Sequence, residues 1–207
     1  CVLEEDESER VSAAGLQHVR RIQDSSRRMG QLITDLLSLA HLNRAQMQQV
    51  PVDLSELALA IAGDLQRSEP ERPVDWHIQD SLFAMADPGL MRVVLQNLLG
   101  NAWKYTGQTA QPRISLTQED HADGMTTFCV RDNGAGFDMA YATQLFQPFK
   151  RLHAHHEFEG SGVGLATVAR VVRRHGGLVR GEGTVGQGAA FFFSLPEVPV
   201  ASDLTTW

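Results

Sequence analysis

The chain has 207 residues, with 18 basic and 25 acidic side chains and a formal charge of −7. Hydrophobic residues at 43% and charged residues at 21% are ordinary values for a soluble globular protein. The acidic balance argues against a protein that coats nucleic acid, which needs a basic face, but leaves room for a local anion site.

The length fits one domain with an appendage, or two small domains. Cys1 and Cys129 cannot make a disulfide framework, and Cys129 sits in an apolar run that suits a small core residue. A reducing, cytoplasmic setting fits that usage. No apolar stretch approaches the roughly 20 residues that span a bilayer, and no signal peptide is visible. This fragment is expected to make no membrane contact, whether its parent is soluble or anchored. It begins at Cys1 and not at a methionine, and reads as an excised piece.

Residues 1–10 are acidic and polar and suit a frayed start. From about Ser12 to Gln48, Val19, Ile22, Ser26, Met29, Ile33, Leu36, Ala40, Asn43 and Met47 recur at spacings of three and four. That is the seam of a long bundle-forming helix, and it needs a partner helix to bury it. Val50-Pro51-Val52-Asp53 breaks the helix. The spacing places a domain boundary near residue 50, giving 1–49 and 50–207. Asp53 or Ser55 caps a second helix to about Arg67, and 68–73 is a loop. Strands are predicted at 74–78, 82–85, 113–119, 125–131, 178–182 and 189–195. Helices are predicted at 88–105, 139–145 and 165–175.

Asp87-Pro88 is a sharp helix start. In the helix that follows, Asn97, Asn101, Lys104 and Tyr105 share one face. Asparagine is a poor mid-helix residue, so two of them need a reason. Amide oxygens coordinate a hard cation such as Mg²⁺, lysine offers phosphate a point charge, and tyrosine offers a base a flat face. The other reading is an exposed polar stripe. A strand-like run from Met125 ends in Asp132-Asn133-Gly134-Ala135-Gly136. A carboxylate there can accept a hydrogen bond from an adenine amino group, and Gly134 and Gly136 allow close backbone approach or positive φ. The alternative is an ordinary turn. Finally, Gly160-Ser161-Gly162-Val163-Gly164-Leu165 opens directly into an apolar helix, an arrangement that leaves N–H groups free for an anion. The polar segment before it excludes a dinucleotide-fold fingerprint, which needs a strand there.

These segments, with Leu145-Phe146-Gln147-Pro148-Phe149 between the last two, occur in one order that resembles the ATP-binding region of two-component sensor histidine kinases. NLLGNAWKYT matches the asparagine box, DNGAGFD the first glycine box, LFQPF the phenylalanine box and GSGVGLATVARVVRRHGG the second glycine box. The resemblance implies an α+β fold, a two-layer α/β sandwich of the Bergerat ATP-binding type behind a long helix. It implies ATP and Mg²⁺, with Asn101 on the metal, Asn97 and Lys104 near the phosphates, Tyr105 against adenine and Asp132 on its amino group. Gly134, Gly136, Gly160, Gly162, Gly164 and Leu165 would line the nucleotide, and Arg151 would hold the γ-phosphate. Residues 12–48 resemble the second helix of the dimerisation and phosphotransfer hairpin. The partners implied are a second copy of the chain and a response-regulator receiver domain, with no nucleic acid. RLHAHHEFEGSG most resembles kinases attached to bacterial phytochromes.

The chain departs from that family in one respect. The phosphate-accepting histidine of the family is followed by an acidic residue, Leu and Arg, and none of the eight histidines here has that setting. The acceptor is expected before Cys1. His153, His155 and His156 read as a solvated lid and not as a metal site. The related ATPases of type II topoisomerases, Hsp90 and MutL usually carry a glutamate where this chain has Asn97, which favours transfer over hydrolysis. A degenerate nucleotide-binding or docking module is the remaining reading.

Overall fold

The computed structural model describes residues 47–122, 124–150 and 161–199, together with Gly15, His18, Val19, Ile22, Gln23, Ser26 and Gly30. The chain divides into two compact units, Cys1–Arg44 and Ala45–Trp207. In the first, the seven described residues are all helical. Val19, Ile22 and Ser26 of the predicted seam are among them, whereas Met29, Ile33, Leu36, Ala40 and Asn43 lie outside the described residues. The predicted end of that helix differs, since Met47 and Gln48 are not helical. Pro51 pushes the residue before it into extended backbone, and the Gln48 N–H donates to Asp87 Oδ2 at 3.1 Å.

The second unit opens with β1 (Val50–Asp53), where the sequence promised only a break. β1 pairs antiparallel with β3 (Phe83–Ala86) as a separate two-stranded ribbon. Between them run α1 (Leu54–Ser68) and β2 (Asp75–Ile78). Then come α2 (Pro88–Tyr105), β4 (Arg113–Ala122), β5 (Met125–Asp132), a 3-10 helix (Met139–Gln144), α3 (Gly164–Arg174), β6 (Val179–Thr184) and β7 (Gly188–Pro196). A five-stranded sheet takes the order β2-β4-β5-β7-β6, parallel between β2 and β4 and antiparallel elsewhere.

Alternation along the strands decides what each face carries. Leu116, Val130 and Phe191 lie in one cross-strand row, and Ile114, Asp132 and Ala189 in another on the same face. The apolar members of these rows are buried together with Met91, Val94, Leu95 and Leu98 of α2 and Val168, Val171 and Val172 of α3. The same parity places Asp132 at the end of β5 on that inner side. The opposite face holds Cys129, Ala190 and Phe192, with the Arg180 guanidinium 3.4 Å from the centroid of the Phe192 ring. Cys129 is fully buried there, and burial pushes its thiol up to about 11, so it is no reactive nucleophile.

Aspartates start the first two helices. Asp53 Oδ1 accepts the Glu56 N–H at 3.0 Å, and Asp87 Oδ1 accepts the Leu90 N–H at 3.1 Å. At the far end of α3, His175 is buried and joins two helices. Its Nδ1–H donates to the Val171 carbonyl at 2.8 Å, and its Nε2 accepts the Asp87 N–H at 3.0 Å. Gly176 follows with φ +83°, the left-handed closure that a glycine allows. Replacing His175 with alanine strands the Asp87 amide. We expect a loss of about 1–3 kcal/mol, read as a lower urea midpoint at unchanged m-value.

Candidate functional site

The site is built on α2. Asn97, Asn101, Lys104 and Tyr105 share one face over about 12 Å of helix at 1.5 Å per residue. All four are half-buried, so the reading as an exposed stripe does not hold. Asn97 donates its amide N–H to the Val93 carbonyl at 2.8 Å, a bond that fixes which end of the amide is left to face outward. That end, Oδ1, lies against Gly164, and a Cβ there would collide with it. Lys104 Nζ donates to Asn101 Oδ1 at 3.4 Å and sits 4.2 Å from the Tyr105 ring centroid. The lysine charge therefore lies between the amide oxygen and the aromatic face.

The C-terminal end of α2 holds the aspartate loop. The Ala135 N–H donates to the Tyr105 carbonyl at 3.1 Å. Gly134 passes so close to that carbonyl that any side chain would strike it. Gly136 has φ +61°, and its missing side chain is explained by the Thr184 carbonyl packed against it. Asn133 anchors the loop to the start of β4, accepting the Arg113 N–H at 2.8 Å and donating to the Gln111 carbonyl at 2.8 Å. Asp132 is 6% exposed and accepts the Gly134 N–H at 2.9 Å. Burial pushes its carboxyl up to about 6; backbone N–H bonds from Gly134 and Ala189 offset part of the rise.

The third segment approaches α2 from its middle. Among the described residues, no side chain caps the first N–H groups of α3, which begins after Val163, unlike α1 and α2. That leaves the positive end of its dipole open beside Asn97. Gly164 and Leu165, in the first turn, are half-buried. Gly162 has φ +74°, and its carbonyl accepts the Phe149 N–H at 2.9 Å, tying the phenylalanine box to the start of α3. Arg151, Gly160 and the three histidines at 153, 155 and 156 lie outside the described residues.

A shallow cavity of about 330 Å³ opens beside Asp132, with Thr184, Gly188 and Ala189 in its wall. Of the predicted site residues that are described, Asp132 alone lines it. Contacts with α2 bring the segments together. Two contributors escaped the sequence reading. The sequence around Asn133 reads as a turn, and its anchoring depends on strand pairing that only the fold supplies. Arg72, in the 68–73 loop, donates to the Trp103 carbonyl at 2.6 Å and to Thr106 Oγ1 at 2.9 Å, and no local pattern announces that reach.

Residues 86–199, more than half of the chain, match the family of histidine kinase-, DNA gyrase B-, and HSP90-like ATPases, and the chain belongs to that family. Within it, the relatives mark a sensor-histidine-kinase catalytic domain. The chain is 33% identical over 191 residues to the circadian input-output histidine kinase CikA of Synechococcus elongatus, covering 87% of this chain and 25% of that protein. It is 30% identical over 168 residues to the phytochrome-like protein Cph1 of Synechocystis sp., covering 81% and 22%. Full-length ShkA, solved in complex with AMPPNP, superimposes with a TM-score of 0.69 at 29% identity, over 98% of this chain and 42% of that one. The chain thus spans about a quarter of the length of the two curated relatives. Among the described residues no helix is long and apolar enough to cross a membrane.

The raised Asp132 pKa sets a pH dependence. Between 3.8 and about 6 the unfolded carboxyl has lost its proton and the folded one has not. Stability therefore falls as pH rises through that window and stays reduced above it. Asp132→Asn is expected to stabilise the ligand-free chain by up to roughly 3 kcal/mol at pH 7.5. That gain is expected to vanish by pH 4, as measured by chemical denaturation at the two pH values.

Proposed function

We propose that this chain is the ATP-binding part of a sensor histidine kinase and passes the γ-phosphoryl group of ATP to a histidine. The observation that carries this reading is the convergence on α2: the aspartate loop at Tyr105, and the open N-terminus of α3 at Asn97. The AMPPNP complex of ShkA supports a nucleotide ligand. In this reading Asp132 accepts the adenine amino group and Tyr105 packs on the base. Lys104 and the first N–H groups of α3, at Gly164 and Leu165, face the phosphates, with Gly160, Gly162 and Arg151 alongside. Gly134 and Gly136 shape the loop beneath the base.

The donor set fits a magnesium ion. Among the described residues the Asn101 amide oxygen has a long 3.4 Å bond to Lys104, and the Val93 bond turns the Asn97 oxygen toward the start of α3. Few protein oxygens beside phosphate are what Mg²⁺ takes. Asn101 would hold it, and bound there it would neutralise charge developing on the β- and γ-phosphates. Lys104 and the α3 dipole add to that neutralisation.

In the transfer, the lone pair of a neutral imidazole nitrogen forms a bond to the γ-phosphorus. The bond from that phosphorus to the bridging oxygen breaks, and ADP leaves with the electron pair. The proton on the other imidazole nitrogen passes to solvent. No strong base is required of the protein. Asn97 supports transfer over hydrolysis, because an amide cannot take a proton from attacking water and this one already donates to Val93. The acceptor histidine lies in a sequence setting that none of the eight here provides. Pairing with a second copy through the N-terminal helix, and relay to a receiver domain, complete the proposal.

Titration with ATP and Mg²⁺ tests it. We expect binding that needs the metal, with hydrolysis near background when no acceptor is present. Asp132→Asn is expected to weaken that binding about 10- to 100-fold, the worth of one charged hydrogen bond. Fast hydrolysis without a histidine would move the assignment to an ATPase. Binding unaltered in the variant would remove the adenine contact.

A further inference from the structure

We propose that Arg72 is a positioning residue for nucleotide binding, acting through the last turn of α2 without touching the ligand. The inference rests on the nucleotide site described above. The last four carbonyls of a helix have no partner within it. In α2 these belong to Ala102, Trp103, Lys104 and Tyr105. Three are met by nearby backbone or by the aspartate loop: Ala102 by the Thr106 N–H at 3.1 Å, Lys104 by the Gly107 N–H at 3.2 Å, and Tyr105 by the Ala135 N–H at 3.1 Å. The Trp103 carbonyl accepts the Thr106 hydroxyl at 3.1 Å and, more closely, the Arg72 guanidinium at 2.6 Å, the one charged donor among these bonds. The same nitrogen reaches Thr106 Oγ1 at 2.9 Å, joining the cap to the residue that closes the helix.

The clamp is held from behind. The guanidinium carbon stands 4.2 Å from the Trp103 ring centroid, and Trp103 Nε1 donates to Glu69 Oε1 at 3.1 Å. Gln66 Nε2 fixes the loop by donating to the Arg72 carbonyl at 2.7 Å. Trp76 stacks on Trp103 with centroids 6.0 Å apart, although its own N–H is buried without a partner. A ring kept at that cost serves packing and not hydrogen bonding. The turn so fixed carries Lys104 and Tyr105 and, through the Tyr105 carbonyl, the loop of Asp132. A positive group at this end also opposes the negative pole of the helix. Arg72 thereby sets the direction from which both ends of a nucleotide are met.

The test compares Arg72→Met and Arg72→Lys with Asp53→Ala, which removes the cap of α1 away from the site. Affinity for ATP with Mg²⁺ and the urea midpoint are measured for each in the full chain. All three variants are expected to lower the midpoint. Arg72→Met is expected to weaken ATP by about fivefold and Arg72→Lys by less, whereas Asp53→Ala is expected to leave the affinity unchanged. If Arg72→Met does not fold, a loss of affinity in Arg72→Lys at full fold carries the same weight. ATP affinity equal to that of Asp53→Ala overturns the inference and leaves the nucleotide site standing. No ATP binding by the unaltered chain overturns both.

Discussion

A helix cannot satisfy its own last carbonyls, and α2 meets that constraint with partners that build the site. One carbonyl is given to the Ala135 amide of the loop after β5 and one to an arginine from the loop after α1. The helix end is thus the joint at which strand, loop and helix are fixed. Its middle does a second task, because the Asn97 amide leaves room for nothing larger than a glycine at the start of α3. One rigid rod thereby sets the spacing of the groups proposed to face the ligand.

In the proposed reading, Asp132 illustrates how function is held against stability. The β5 alternation forces it inward with Phe128 and Val130, where a carboxylate loses water. Two backbone N–H bonds return part of that loss and leave the charged form strained at neutral pH. An apolar residue there would pack without penalty, but could not accept a hydrogen bond from a base. A charge kept where the fold alone would reject it is a mark of recognition chemistry.

Much of this was legible in the sequence because it is local. Asp87-Pro88 sets the start of α2, and the predicted limits 88–105 are those observed. Asp53 caps α1, as one of two candidates, and the strand ending at Asp132 and the glycine closing α3 follow from propensity and spacing. Contacts between distant segments were not legible. Val50–Asp53 is a strand only because β3 pairs with it, and Pro51 hid that by reading as a break. The segment 139–145 reads as a helix, and forms a shorter 3-10 helix over Met139–Gln144. His175 looked like a helix end, yet its ring joins α3 to α2 across 88 residues. Arg72 lay in a loop of prolines and charges whose role exists only once Trp103 has been folded over it.

The paired indoles give this corner an optical property. Of the three tryptophans, Trp76 and Trp103 stack against each other, with a guanidinium on one of them. Among the described residues these are the two indoles, and their near-ultraviolet dichroism and intrinsic emission originate beside the end of α2. Any occupant that tightens or loosens that turn changes the signal of an unlabelled protein, so the chain carries its own chromophore beside the proposed site.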